Sequence, residues 1–118
     1  MYSIKVESSF SAAHNLRGYR GKCEELHGHN WKVEVVVSRD KLDKAGMLLD
    51  FKNLKIKLNK VLANLDHKYF NNIPYFKKVN PTSENIAKYI YDRLKAQVSS
   101  VKSVVVWEND TSSATYEE

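Results

Sequence analysis

The chain has 118 residues, enough for one domain with one modest hydrophobic core but not for two. Nineteen Lys and Arg against fourteen Asp and Glu leave a charge of +5 at pH 7, a balance that suits an anionic small molecule or nucleic acid and selects neither. No apolar run approaches bilayer-spanning length or resembles a signal peptide, and a single cysteine excludes an internal disulfide, so a soluble, cytoplasmic, single-domain protein is expected over residues 1–118.

Residues 2–14 alternate, with Tyr2, Ile4, Val6, Phe10, Ala12 and His14 on one parity and Ser3, Lys5, Glu7, Ser9 and Ser11 on the other, which predicts a half-buried strand. A loop with Gly18 and Gly21 follows over Asn15 to Glu25, and a second strand begins near His27, with Trp31, Val33, Val35 and Val37 on one face. Asp43 to Gly46 reads as a turn and Met47 to Asp50 as a short third strand. Phe51, Leu54, Leu58, Val61, Leu62 and Leu65 recur at three and four residues, the period of an amphipathic helix ending before Asp66, with Lys52, Lys55, Lys57 and Lys60 as its solvated face. His67 to Asn80 reads as a loop.

A second helix opens at Pro81-Thr82-Ser83-Glu84, where a hydroxyl can cap free N–H groups and an acid complements the dipole; its apolar positions are Ile86, Ile90, Leu94 and Val98. Val101 to Glu108 is a β-branched strand, and Ala114 to Tyr116 adds a short one. The order predicts an α+β fold, an antiparallel sheet with both helices on one face. The other face then needs a cover, which a second copy of the chain would supply.

The chemistry concentrates in Cys23-Glu-Glu-Leu-His27-Gly-His29. Two residues along a strand advance about 6.6 Å and return to the same face, so His27 and His29 project side by side. His14, on the apolar parity of the first strand, is brought alongside by antiparallel pairing. Three imidazoles make a Zn²⁺ site with an open fourth position; with Cys23 as fourth ligand it would instead be a closed structural clip. Asp66 beside His67 can orient an imidazole that carries protons, or simply cap a turn. Glu108, an acid at the end of an apolar strand, requires a partner, and the paired N–H edge of a guanidine-like heterocycle is one.

In order, F-S-A-A-H at 10–14, C-E-E-L-H-G-H at 23–29, L-L-D-F at 48–51, L-D-H at 65–67, N-P-T-S-E at 80–84 and Glu108 resemble the 6-pyruvoyltetrahydropterin and 6-carboxytetrahydropterin synthase family over nearly the whole chain. The three residues between Cys23 and His27 resemble the carboxy-forming members of queuosine biosynthesis; pyruvoyl-forming animal members carry a longer insert. The resemblance implies a tunnelling fold whose subunits close into a barrel as a trimer or pair of trimers. It also implies Zn²⁺ on His14, His27 and His29, Cys23 as base, and Asp66 and His67 as a proton relay. Glu108 would anchor the pterin, with Thr82, Ser83 and Glu84 lining its pocket. The implied substrate is 7,8-dihydroneopterin triphosphate, converted to 6-carboxytetrahydropterin, acetaldehyde and triphosphate, with Arg17, Arg20 or Lys22 as candidates to meet the phosphates.

The same site can serve a pyruvoyl-forming synthase or a side-chain aldolase. A zinc-stabilised structural oligomer is the non-enzymatic alternative, and a nucleic-acid module finds no aromatic-and-basic signature.

Overall fold

The computed structural model describes residues 1–18, 20–21 and 24–118, and Tyr19, Lys22 and Cys23 lie outside it. Two thirteen-residue strands, β1 (Tyr2–His14) and β2 (His27–Arg39), pair antiparallel without interruption from Tyr2↔Arg39 to His14↔His27. This register is the first determinant of the site. It sets His14 directly opposite His27, and Ala12 opposite His29, on the face that carries Phe10 and Trp31. Side chains of one parity share a face, so all three histidines continue the apolar side of the sheet.

Helix α1 (Phe51–Leu62) follows a turn in which the Asp43 carboxylate accepts from the N–H groups of Ala45 and Met47. Met47 to Asp50 is not a strand. Leu48 is buried, its carbonyl accepts from the Arg39 guanidinium, and Asp50 caps α1 by accepting from the Lys52 N–H, so these four residues end a turn rather than join the ladder. The apolar stripe of α1 packs as the periodicity predicts at Leu54, Leu58, Val61 and Leu62, whereas Phe51 stays exposed.

The segment after α1 is more ordered than a loop. His67 takes φ +58, its N–H donates to the Ser11 carbonyl at 2.6 Å, and the reversal lays a two-residue strand β3 (Lys68–Tyr69) parallel to β1. A 3-10 turn (Phe70–Asn72) and a short helix α2 (Pro74–Lys78) follow, held by the fully buried rings of Phe70 and Phe76, with Pro74 in the first helical turn. The sheet is therefore mixed rather than wholly antiparallel, in the order β3-β1-β2-β4-β5.

Helix α3 (Ser83–Lys95) is capped by the Thr82 hydroxyl, which accepts from the Asn85 N–H. Its buried positions include all three apolar residues predicted for the helix body, and Val98 beyond its end is buried too. Strand β4 (Val101–Asn109) pairs with β2 and with the terminal β5 (Ser112–Glu117). Helix α1 lies against β1, and α3 against β4 and β5, so both main helices cover one face. Trp31, Val33, Val35, Val104 and Val106 are fully buried beneath them, each such aliphatic chain contributing roughly 1.5–3 kcal/mol. The opposite face carries Lys5, Lys32 and Glu34 among the half-buried Val36, Val105 and Trp107. No helix among the described residues is long and apolar enough to cross a membrane.

Candidate active site

At the end of the sheet where β1 stops and β2 starts, His14, His27, His29 and Glu108 converge, with donor atoms within 4.8 Å of one another. The Nε2 atoms of His14 and His27 are 3.0 Å apart, and Glu108 Oε1 lies 3.3 Å from His14 Nε2 and 3.1 Å from His29 Nε2. Ligands about 2.05 Å from a tetrahedral ion stand roughly 3.3 Å from each other; these three spacings are close to that, while His27 Nε2 stands 4.0 Å from Glu108 Oε1. Two of the three histidines have a partner at the outer nitrogen, which fixes their tautomers. His14 Nδ1 donates to the Pro81 carbonyl at 2.7 Å and His27 Nδ1 to the Glu25 carbonyl at 2.8 Å, which turns both Nε2 lone pairs inward. His29 Nε2 is buried with no aligned hydrogen-bond partner, an orphaned donor atom that a cation would satisfy. The donor set thus fits a divalent cation.

The electrostatics point the same way. Burial holds His14 below the ordinary histidine range and His27 beside it adds to the effect, against the opposing pull of the Pro81 carbonyl and Glu108. Burial likewise lowers His29, with Glu108 opposing. Neutral imidazoles are the form that binds metal.

Glu108 among the imidazoles was not expected. Its parity is that of Val104 and Val106, the buried side of β4. On the β5 side, Trp107 pairs with Ser113 and Asn109 with Ser112, so Glu108 is the extra residue of a bulge, a device that re-aims a side chain. The parity was readable from the sequence; the bulge was not. Glu108 also borders an open cleft of about 370 Å³ with Ser83, Glu84 and Ser112 to Thr115, which brings to it two of the three expected pocket residues Thr82, Ser83 and Glu84. Thr82 differs, because its hydroxyl is engaged in capping α3.

Asp66 and His67 do form a pair, His67 Nδ1 standing 3.1 Å from Asp66 Oδ1. The Asp66 carboxylate accepts the Ser11 N–H at 2.9 Å, and this bond, with His67, holds it below the usual carboxylate range. His67 is exposed and borders an open hollow lined by Ser11, Ala13, Gly28 and Asn30, of the parity opposite to the metal group, and also by Ala12 and His29, which share the metal group's parity. His29 thus borders both this hollow and the histidine group. Cys23 and Lys22 lie outside the described residues, Arg20 is exposed, and the Arg17 guanidinium donates to the Phe76 carbonyl at 2.6 Å.

The profile of the family described as 6-pyruvoyl tetrahydropterin synthase matches residues 3–118. The chain is 42% identical to a 6-carboxy-5,6,7,8-tetrahydropterin synthase of Synechocystis, over 98% of this chain and 93% of that protein. It is 37% identical to a dihydroneopterin monophosphate aldolase of Pyrococcus furiosus, covering 91% and 90% of the two chains. The solved 6-pyruvoyl tetrahydropterin synthase of Caenorhabditis elegans superposes with a TM-score of 0.90 at 30% identity, covering 99% and 95%. A profile match across nearly every residue, a shared fold and a histidine group at its expected place together make this chain a member of the 6-pyruvoyl tetrahydropterin synthase family.

Proposed function

We propose that the protein is a zinc-dependent 6-carboxy-5,6,7,8-tetrahydropterin synthase, a lyase acting on 7,8-dihydroneopterin triphosphate in the cytoplasmic route to queuosine. The observation that carries this reading is the inward-facing set of His14, His27 and His29 beside Glu108, in a chain 42% identical to such a synthase over 98% of its length. The short interval from Cys23 to His27 favours the carboxy-forming members.

The three imidazoles would hold Zn²⁺, which supplies a Lewis acid that lowers the pKa of a substrate hydroxyl and stabilises negative charge on oxygen. Glu108 receives the two parallel N–H donors of the pterin edge, a charge-assisted bidentate contact that fixes the ring. Ser83 and Glu84, on the same cleft, bound its far side. Cys23, as a thiolate, removes a carbon-bound proton from the side chain. Asp66 keeps the His67 imidazole oriented to accept or return that proton. His67 pairs with Asp66 and is not among the four groups that converge on the ion site, so in this reading the relay of one subunit serves the site of an adjoining one in a trimer or pair of trimers. Arg20 and Lys22 remain the basic side chains for the triphosphate, since Arg17 is engaged with Phe76.

Incubating the zinc-loaded protein with 7,8-dihydroneopterin triphosphate tests the reading. Equal amounts of acetaldehyde and 6-carboxytetrahydropterin are expected. A pyruvoyl product without acetaldehyde would replace it by the pyruvoyl-forming reaction. The 37% identity to an aldolase of monophosphate substrate motivates the parallel assay with dihydroneopterin monophosphate, in which no turnover is expected.

A further inference from the structure

The outer edge of β1 continues past the end of the strand in an unusual way. Backbone N–H and C=O groups of alternate residues point to the same side of an extended chain, and from Ser11 onward each odd position finds a partner there. Ser11 donates to the Asp66 carboxylate and accepts from the His67 N–H, and Ala13 lies opposite Tyr69 of β3. Beyond β3 the ladder is taken over by side chains. The amide of Asn71 accepts the Asn15 N–H at 3.1 Å and donates to the Asn15 carbonyl at 2.9 Å. Two residues on, Asn80 accepts the Arg17 N–H at 2.9 Å and donates to the Arg17 carbonyl at 2.9 Å.

Each asparagine thus grips one residue at both backbone groups, as a neighbouring strand would, and the Tyr69 hydroxyl adds a bond to the Asn15 side chain. Both rungs lie just beyond His14. Asn15 is its chain neighbour, and Asn80 precedes Pro81, whose carbonyl accepts from His14 Nδ1. Asn80 is itself held to the start of α3, its carbonyl accepting from the Thr82 N–H at 2.8 Å and the Asn85 side chain at 2.9 Å. The chain neighbours of His14, Ala13 and Asn15, and the acceptor for its ring are therefore held by the same segment, residues 69–81.

We propose that Asn71 and Asn80 are positioning residues for the metal centre: acting as side-chain ladder rungs, they keep the His14 ring turned so that its Nε2 meets the ion. The inference rests on the reading that His14 is a metal ligand. It concerns two residues that touch neither ion nor substrate, and it explains why an N-P-T-S-E segment needs its asparagine.

The test uses Asn71→Asp and Asn80→Asp, which keep size and the acceptor oxygen but lose the donor and set a carboxylate against a backbone carbonyl. Asn59→Ala is the control, because this α1 side chain, away from the site, takes a single exposed bond from the Ser8 hydroxyl of β1. Zinc affinity by chelator competition and the visible absorption of the Co²⁺-substituted protein are measured well below the unfolding temperature. The expected result is affinity weakened about 10–100-fold in each aspartate variant, with a changed Co²⁺ band, and no change in the control. Asn80→Ala, which removes the rung without adding charge, gives the same reading should an aspartate variant not fold. Wild-type affinity and an unaltered Co²⁺ band in the asparagine variants would overturn the inference while leaving the metal reading intact. A wild-type chain that binds neither ion would overturn both.

Discussion

The Nδ1 atom of His14 lies 2.7 Å from the carbonyl oxygen of Pro81, 67 residues further along the chain. That contact commits the ring. With Nδ1 donating to a carbonyl, Nε2 must carry the lone pair, and it points at His27 and Glu108. A tight turn before α3 thereby decides which nitrogen at the end of β1 is available to a cation.

Removing single histidines should separate ligand from core roles. His29→Ala should lose stoichiometric zinc while the metal-free protein keeps its stability within about 1 kcal/mol, because that side chain is only half-buried. His14→Ala should lose zinc and also cost about 2–4 kcal/mol, since the ring is buried with its centroid 5.0 Å from that of Trp31. Metal content and denaturant unfolding of the stripped proteins check both.

Glu108 stands where it can serve the ion or the pterin. As substrate anchor, Glu108→Ala should retain zinc and raise KM about 100-fold, the loss of a charge-assisted bidentate contact. Loss of zinc with the carboxylate would instead make Glu108 the fourth ligand. Metal analysis and steady-state kinetics on one preparation distinguish the two.

Cys23→Ala should give a folded, zinc-loaded protein without detectable turnover. Coincident loss of metal and stability would restore the structural-clip reading, in which the thiolate closes the coordination shell.

His67→Ala should lower kcat about 10²–10⁴-fold with little change in KM, the range of a lost proton carrier. Asp66→Asn should fall less, because its oxygen can still accept from Ser11. Mixing Cys23→Ala with His67→Ala subunits should restore part of the activity if relay and base come from different copies.

The metal-free protein should lose stability as pH falls below about 6.5. His14 and His29 titrate below the ordinary histidine value when folded, so over that interval the unfolded chain binds protons that the folded chain refuses. Stability therefore rises with pH between the folded and unfolded values and is fully present above the latter. A thermal midpoint that did not decline between pH 7 and pH 5 would contradict this origin. Zinc should weaken over the same range, as protons compete for the imidazoles.

What local pattern carries, the sequence carried. A period of two put His14 with Phe10 and Ala12, and His27 and His29 with Trp31 and the valines, because alternation is built into extended backbone and needs no knowledge of partners. A period near 3.6 likewise placed both main helices, and the hydroxyls within Pro81 to Glu84 marked the start of α3, where Thr82 proves to be the cap. Met47 to Asp50 misled, since four residues cannot distinguish a strand from the end of a turn. The segment 67–80 misled too, its ordering coming from Phe70 and Phe76 reaching a core formed elsewhere.

Tertiary structure decided the rest through register and chain reversal. The β2–β4 register, with the bulge at Glu108, put a carboxylate among three imidazoles. A left-handed residue at His67 reversed the chain and set the Asp66 pair against Ser11 of β1. The return of residues 69–81 along β1 supplied the carbonyl of Pro81 and the amides of Asn71 and Asn80. Each of these joins residues far apart in the chain, and such contacts depend on which loops close and in what register, not on any local period.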